Sequence, residues 1–169
     1  MEAYFDNSAT TIVTDSVKDI VVKTMTEDFG NPSAMHMVGV KAEKYIKEAQ
    51  ENIAKILKVD PKEIFFTSGG TESNNMAIIG TAMANKRKGN KIITTSVEHS
   101  SVLATMKYLE EQGFEVIYLP VDRYGVVQME ALEKEMTEDT ILVSTMYVNN
   151  EVGAIEPVGE IGQYIKKVN

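Results

Sequence analysis

Strand–helix alternation predicts an α/β fold built on a parallel sheet, and three observations carry the prediction. From residue 64 onward, short β-type runs at 64–67, 91–96, 115–119 and 140–148 alternate with runs of helical period. The first of these runs breaks at Gly69-Gly70 and passes directly into a helix-type run, a junction that offers backbone N–H groups to an anion. Three polar clusters, Ser68–Glu72, Glu98-His99-Ser100 and Asn149-Asn150-Glu151, follow three strand runs. Open α/β sheets gather their ligands beyond the carboxyl ends of the strands.

The elements follow in order. Val17, Ile20, Val21, Thr24 and Met25 recur at helical spacing and predict a helix over 16–28, with Thr14, Asp15 and Ser16 as candidate caps. Gly30-Asn31-Pro32 makes the next stretch a loop. A longer helix over 38–57 carries Ala42, Tyr45, Ile46, Ala49, Ile53, Ile56 and Leu57 on one stripe and Lys and Glu on a solvated face. Strand 64–67 leads to helix 72–87, and strand 91–96 to a helix near 100–112 with Val102, Leu103, Met106 and Leu109 inward. Strand 115–119 leads through a turn at Asp122–Gly125 to a short helix near 128–136. Strand 140–148 leads to helix 159–168. Four strands make a small sheet for a parallel architecture covered on both faces. The expectation is therefore an incomplete sheet, part of a larger domain or one half of a split protein, with a complete four-stranded domain as the alternative.

Composition bounds the function. The chain has 169 residues, 43% apolar and 25% charged, which is the profile of an ordinary globular domain. A net charge of −8 and a pI near 4.8 argue against nucleic acid or an anionic membrane as the main partner. Cysteine is absent, which removes disulfides, cysteine metal sites and thiol nucleophiles from this chain. The first residues lack the basic and apolar regions of a signal peptide, so a cytoplasmic setting is expected.

Each motif has more than one reading. Gly70 and Thr71 suit a phosphate cradle, but also a plain turn with Thr71 as a helix cap. The pattern matches neither the Walker loop nor the dinucleotide fingerprint, which disfavours ATP and NAD. His99 could stack on a planar ring or move protons, or simply cap a helix. His36 reads as a structural histidine, and two distant histidines without cysteine predict no metal site. Of Asn149 and Asn150, strand alternation predicts that only one faces a ligand. Met25, Met76, Met83 and Met106 read as core residues. No G-x-S-x-G elbow supports a serine hydrolase.

Five segments taken together resemble one family. Tyr4-Phe5-Asp6-Asn7-Ser8-Ala9-Thr10-Thr11, Gly30-Asn31-Pro32-Ser33-Ala34-Met35-His36, Phe66–Asn75, Val97-Glu98-His99 and Val148-Asn149-Asn150-Glu151-Val152-Gly153 are similar to the cysteine desulfurases of the NifS/IscS type, within the class-V aminotransferases. The resemblance runs from residue 4 to residue 169. It implies that residues 1–169 are the N-terminal part of the large domain of a fold-type I transferase dependent on pyridoxal 5′-phosphate. It also implies that Gly70 and Thr71 hold the cofactor phosphate, that His99 stacks on the pyridine ring and moves protons, and that Asn150 binds the phenolic oxygen. The implied reaction converts L-cysteine to L-alanine and passes sulfur, as a persulfide, to an acceptor or an iron–sulfur scaffold protein. The implied state is a homodimer.

The departures are equally specific. The family's Schiff-base lysine, the aspartate for the pyridine nitrogen, the sulfur-accepting cysteine and the small domain have no counterpart in this sequence. A chain lacking them is expected to be inactive alone. Two rival readings share the residues: a selenocysteine lyase or other class-V lyase, and a non-catalytic half of a split enzyme or assembly module.

Overall fold

The computed structural model describes residues 3–168. The chain divides into two compact units, Met1–Phe66 and Thr67–Asn169.

In the first unit, helices α1 (Asp15–Thr26) and α2 (Met37–Leu57) occupy the predicted positions. Asp28 ties them together: its carboxylate accepts from Tyr45 Oη at 2.6 Å and faces Lys23 and Lys41 at 3.6 and 3.9 Å. His36 caps α2, its Nδ1 accepting from the Gly39 N–H at 3.3 Å, so this histidine has the structural role its sequence context suggests. The solvated face of α2 carries the ion pairs Lys47–Glu43 and Lys44–Glu48. The apolar stripes find less cover than their periodicity predicts. No residue of α1 is buried, and Ile56 and Leu57 at the end of α2 are exposed.

Residues 64–67 are a correction. They are extended but pair with no strand, and Phe65 and Phe66 are exposed. A β-type sequence becomes a strand only when a neighbour takes its backbone groups. Here the Ile64 carbonyl accepts from the Gln50 side chain instead.

The second unit holds the sheet. Strands β1 (Lys91–Thr95), β2 (Glu115–Leu119) and β3 (Thr140–Ser144) lie in the order β2-β1-β3, all parallel. Among the described residues the sheet therefore has three strands, one fewer than the sequence predicts. The helices are α3 (Gly70–Asn85), α4 (Ser100–Glu111), α5 (Met129–Glu135) and α6 (Val158–Val168).

Alternation along β1 divides the core. Ile92 joins Ile78, Ala82, Val102, Met106 and Leu109 from α3 and α4, whereas the next residue, Ile93, joins Leu132 and Ile161 from α5 and α6. Their cross-strand partners follow: Val116 and Leu142 flank Ile92, and Ile117 and Val143 flank Ile93. Of the methionines expected in the core, Met106 is fully buried, but Met25, Met76 and Met83 are exposed.

The order 2-1-3 has a functional corollary. The chain leaves β1 for a neighbour on one side, then returns across β1 to place β3 on the other. Connections of one hand then lie on opposite faces, and the loops leaving β1 and β3 diverge to open a crevice.

Candidate functional site

Three segments are linked pairwise at this end of the second unit, the start of α3 to that of α4 and the loop after β1 to the loop after β3. The first is the turn 67–70 at the start of α3. Thr67 Oγ1 donates to the Gly69 carbonyl at 3.1 Å and lies 2.7 Å from Ser73 Oγ. Glu72 folds back, its Oε2 accepting from the Ser68 N–H at 2.7 Å and the Ser68 hydroxyl at 2.6 Å. Those two bonds hold the Glu72 carboxyl below its ordinary range. The helix is capped by Gly69, not by Thr71, which lies inside the first turn. Among the described residues nothing accepts from the N–H groups of Gly70, Thr71 or Glu72. A Cβ added at Gly69 or Gly70 would meet no atom within 4 Å, so the space over the turn is open.

The second segment follows β1. His99 caps α4, and its Nδ1 accepts from the Ser101 N–H at 3.1 Å. Ser101 Oγ accepts from Asn74 Nδ2 at 2.9 Å, which leaves its own hydrogen for His99 Nδ1 at 2.8 Å. With Nδ1 occupied as an acceptor, the ring hydrogen of neutral His99 belongs on Nε2. The cap is thus not an alternative to a ligand-facing role: one nitrogen caps, and the exposed remainder of the ring stays available. The link from Asn74 to Ser101, with that from Thr105 Oγ1 to Asn75 Oδ1 at 2.6 Å, also joins the start of α3 to α4.

The third segment follows β3, which ends at Ser144, four residues short of the predicted strand. Beyond it, Val148 bridges Ile155 and closes a small turn. Asn149, only 6% exposed, holds this turn from inside. Its Oδ1 accepts from the N–H groups of Glu151 and Val152 at 2.9 and 3.0 Å, and its Nδ2 donates to the Val97 carbonyl at 2.9 Å. Asn150 is exposed, with Nδ2 2.7 Å from Glu151 Oε1. The two asparagines do face different surroundings as expected, but turn geometry rather than strand alternation separates them.

Glu98 is the residue that inspection of the motifs undervalued. It is 7% exposed, and its Oε1 accepts from Thr95 Oγ1 and from the Met146 N–H, each at 2.8 Å. Burial pushes its carboxyl up, against the pull of those two bonds, and the nearby Glu156 charge adds to the rise. Glu156 is itself 2% exposed and accepts from the Val127 N–H at 2.8 Å. A charged residue between a strand and a histidine looks like a solvent-facing turn residue. Only the apolar Val97 before it and Thr95 three residues back hint otherwise.

Among the described residues no group of three or more His, Asp or Glu is placed to hold a metal ion. No helix is long and apolar enough to cross a membrane.

The aminotransferase class-V family model matches residues 3–169. A cysteine desulfurase IscS of Clostridium botulinum is 48% identical over 168 residues, and one of Methanosarcina thermophila is 50% identical over 164. These alignments take in 99% and 97% of this chain but 42% and 41% of the relatives, so the chain spans less than half their length. A solved NifS-like protein superposes over all of this chain and 46% of its own, with a TM-score of 0.95 at 48% identity. A structure of SspA in complex with cysteine superposes over 97% of this chain and 47% of its own, with a TM-score of 0.90 at 38% identity.

Proposed function

Because this chain belongs to the class-V aminotransferase family, we propose that it supplies the phosphate and ring contacts of a pyridoxal-phosphate-dependent cysteine desulfurase. Relatives bearing that name over nearly the whole of this chain support the reading, as does a structural neighbour that binds cysteine. With it go L-cysteine as substrate, a sulfur-acceptor or iron–sulfur scaffold protein as partner, a homodimeric state and a cytoplasmic setting.

The observation that carries the proposal is the convergence of an unengaged helix N-terminus, an exposed imidazole and an exposed amide on one end of one sheet. The donor set fits a group that combines a phosphate, a planar aromatic ring and a ring oxygen. Gly70 and Thr71 bind the phosphate through backbone N–H groups and the Thr71 hydroxyl, helped by the positive end of α3. His99 covers the ring with its imidazole face, and Nε2 holds or moves a proton at the ring's edge. Asn150 orients the ring by donating from Nδ2 to the phenolic oxygen, giving up its bond to Glu151. When bound, pyridoxal phosphate supplies the electron sink for reaction at the amino acid's α-carbon.

The lysine, aspartate and cysteine that complete such a site have no counterpart among these 169 residues, so the chain alone binds but does not turn over. Titration of the chain with pyridoxal 5′-phosphate, pyridoxal and inorganic phosphate tests this. The expected order of affinity is pyridoxal phosphate first, with the other two measurably weaker. Equal affinity for pyridoxal and its phosphate would refute the cradle. Stoichiometric covalent cofactor after borohydride reduction, seen by mass spectrometry, would refute inactivity of the chain alone.

A further inference from the structure

Two buried side chains cross the crevice, and neither is exposed to a ligand. From the β1 side, Glu98 Oε1 reaches the Met146 N–H at 2.8 Å. From the β3 side, Asn149 Nδ2 reaches the Val97 carbonyl at 2.9 Å. Each of these residues immediately precedes an exposed residue of the candidate site, Glu98 before His99 and Asn149 before Asn150. Each also anchors its own loop: Glu98 Oε1 accepts from Thr95 Oγ1, and Asn149 Oδ1 accepts from the N–H groups of Glu151 and Val152. The two loops are therefore laced in both directions by bonds that share no atom. Leaving a strand pair whose neighbouring connections diverge, they would otherwise vary in separation independently of the sheet.

We propose that Glu98 and Asn149 are positioning residues, a crossed brace that fixes the separation of His99 and Asn150 so that both side chains engage one planar ring. The brace rests on the functional reading above for what the ring is, but its mechanical content does not. Both cross-loop bonds are half-buried and end on buried side chains, so losing either partner leaves a polar group poorly reached by water. A shift of about an ångström in either loop is enough to separate two contacts made to one rigid ligand.

The chemistry of Glu98 gives a clean discrimination. Both of its hydrogen bonds end on Oε1, so Glu98→Gln keeps the brace and removes only the charge. Glu98→Ala removes the brace. Asn149→Asp keeps the acceptor that closes the turn but replaces the donor to Val97 with a carboxylate.

The test uses the full chain and two readouts. In titrations with pyridoxal 5′-phosphate, Glu98→Ala and Asn149→Asp each weaken binding about tenfold. Glu98→Gln stays within about twofold of the parent. Inorganic phosphate binds all four proteins alike, because the α3 turn lies outside the brace. In the unliganded chain, backbone amide NMR shifts of 146–152 move in Glu98→Ala, and those of 96–99 move in Asn149→Asp. Equal loss of affinity in Glu98→Gln and Glu98→Ala would overturn the proposal in favour of a charge effect. So would shifts confined to the mutated loop. If the parent chain binds inorganic phosphate but not pyridoxal phosphate, the cofactor reading fails, while the amide shifts still decide the brace.

Discussion

The side chain of Thr71 takes no part in capping α3, where Gly69 is the cap residue. It lies inside the first turn of α3, and among the described residues its hydroxyl makes no hydrogen bond. Thr71→Ala is therefore expected to leave thermal stability within about 0.5 kcal/mol, as surface substitutions do, and to weaken phosphate-dependent binding by about 1.5 kcal/mol, the size of a hydrogen bond to a charged group. Differential scanning fluorimetry with and without pyridoxal phosphate measures both. Glu98 carries a prediction in pH. Burial holds its folded-state carboxyl above the ordinary value of 4.5. The protonated form is thus favoured by folding, and the associated stability is present below about 4.5 and lost as pH rises through the raised value. Denaturant melts of Glu98→Gln and the parent should diverge in the variant's favour across that interval and then run parallel. Asp28 has the opposite sign: the Tyr45 hydroxyl, then Lys23 and Lys41, hold its carboxyl below 3.8. The stability it contributes is present above that value and lost as pH falls through the lowered one, so Asp28→Asn should flatten the acid limb of the melting curve.

At the scale of elements, most of the architecture is legible in the sequence. Helices α1 to α6 fall within about two residues of their predicted ends, and β2 begins and ends as expected. Local patterns suffice where an element contributes its own hydrogen bonds, as a helix does, or where a turn marks both ends. Residues 64–67 show the limit. Their composition is that of a strand, yet strand status depends on a neighbour that no local pattern specifies. The same holds for β3, whose last four predicted residues depart into the loop that Asn149 organises. His99 and Asn150 are legible as exposed polar groups in the segments after strands, and Gly70 and Thr71 as the start of a helix after a β-type run that pairs with no strand. Glu98 and Asn149 were legible only as residue types, because their role lies in bonds between segments about fifty residues apart. Gly125 illustrates a turn that sequence and structure agree upon. Its φ is +86°, and a Cβ there would meet Val152 Cγ2 at 3.2 Å and Ala154 Cβ at 3.3 Å. Gly125→Ala should cost more than about 1 kcal/mol in urea melts, since the backbone and the space both oppose it.

For the whole molecule, burial is uneven. In the second unit Ile92, Ile93, Met106, Leu109 and Leu132 are all fully buried. Leu132→Ala there should cost about 2–5 kcal/mol in chemical denaturation, the range for a large-to-small change in a closed core. In the first unit Phe5, Ile12 and Met35 are each more than 90% exposed. Apolar surface on that scale promotes association. Sedimentation velocity of the 169-residue chain is expected to show concentration-dependent self-association, and a monomer at all concentrations would contradict the expectation.

The register of β3 against β1 has a consequence for how the protein can change in length. Lys91 pairs with Thr140, but the next residue, Ile92, pairs with Leu142, so Ile141 is an extra residue on one strand only. Ile141 and Leu142 both pack against the α3–α4 face as a result. Pairing resumes in register beyond the surplus residue, at Ile92–Leu142, Ile93–Val143 and Thr94–Ser144, and this register sets how far Asn149 and Asn150 advance past the end of β1. A codon lost between 140 and 144 would remove the surplus and let the two strands pair continuously, leaving Asn149 and Asn150 in place, whereas a second loss would withdraw the third segment by about 3.3 Å, one strand residue, and exchange its inward and outward side chains. A codon gained in the turn at 122–126 would break a closed turn, since Asp122 Oδ1 accepts from the Tyr124 and Val126 N–H groups and Gly125 lies against Val152 and Ala154. Descendants of this gene can thus shorten by one residue in the strand, and are bound to keep count in the turn.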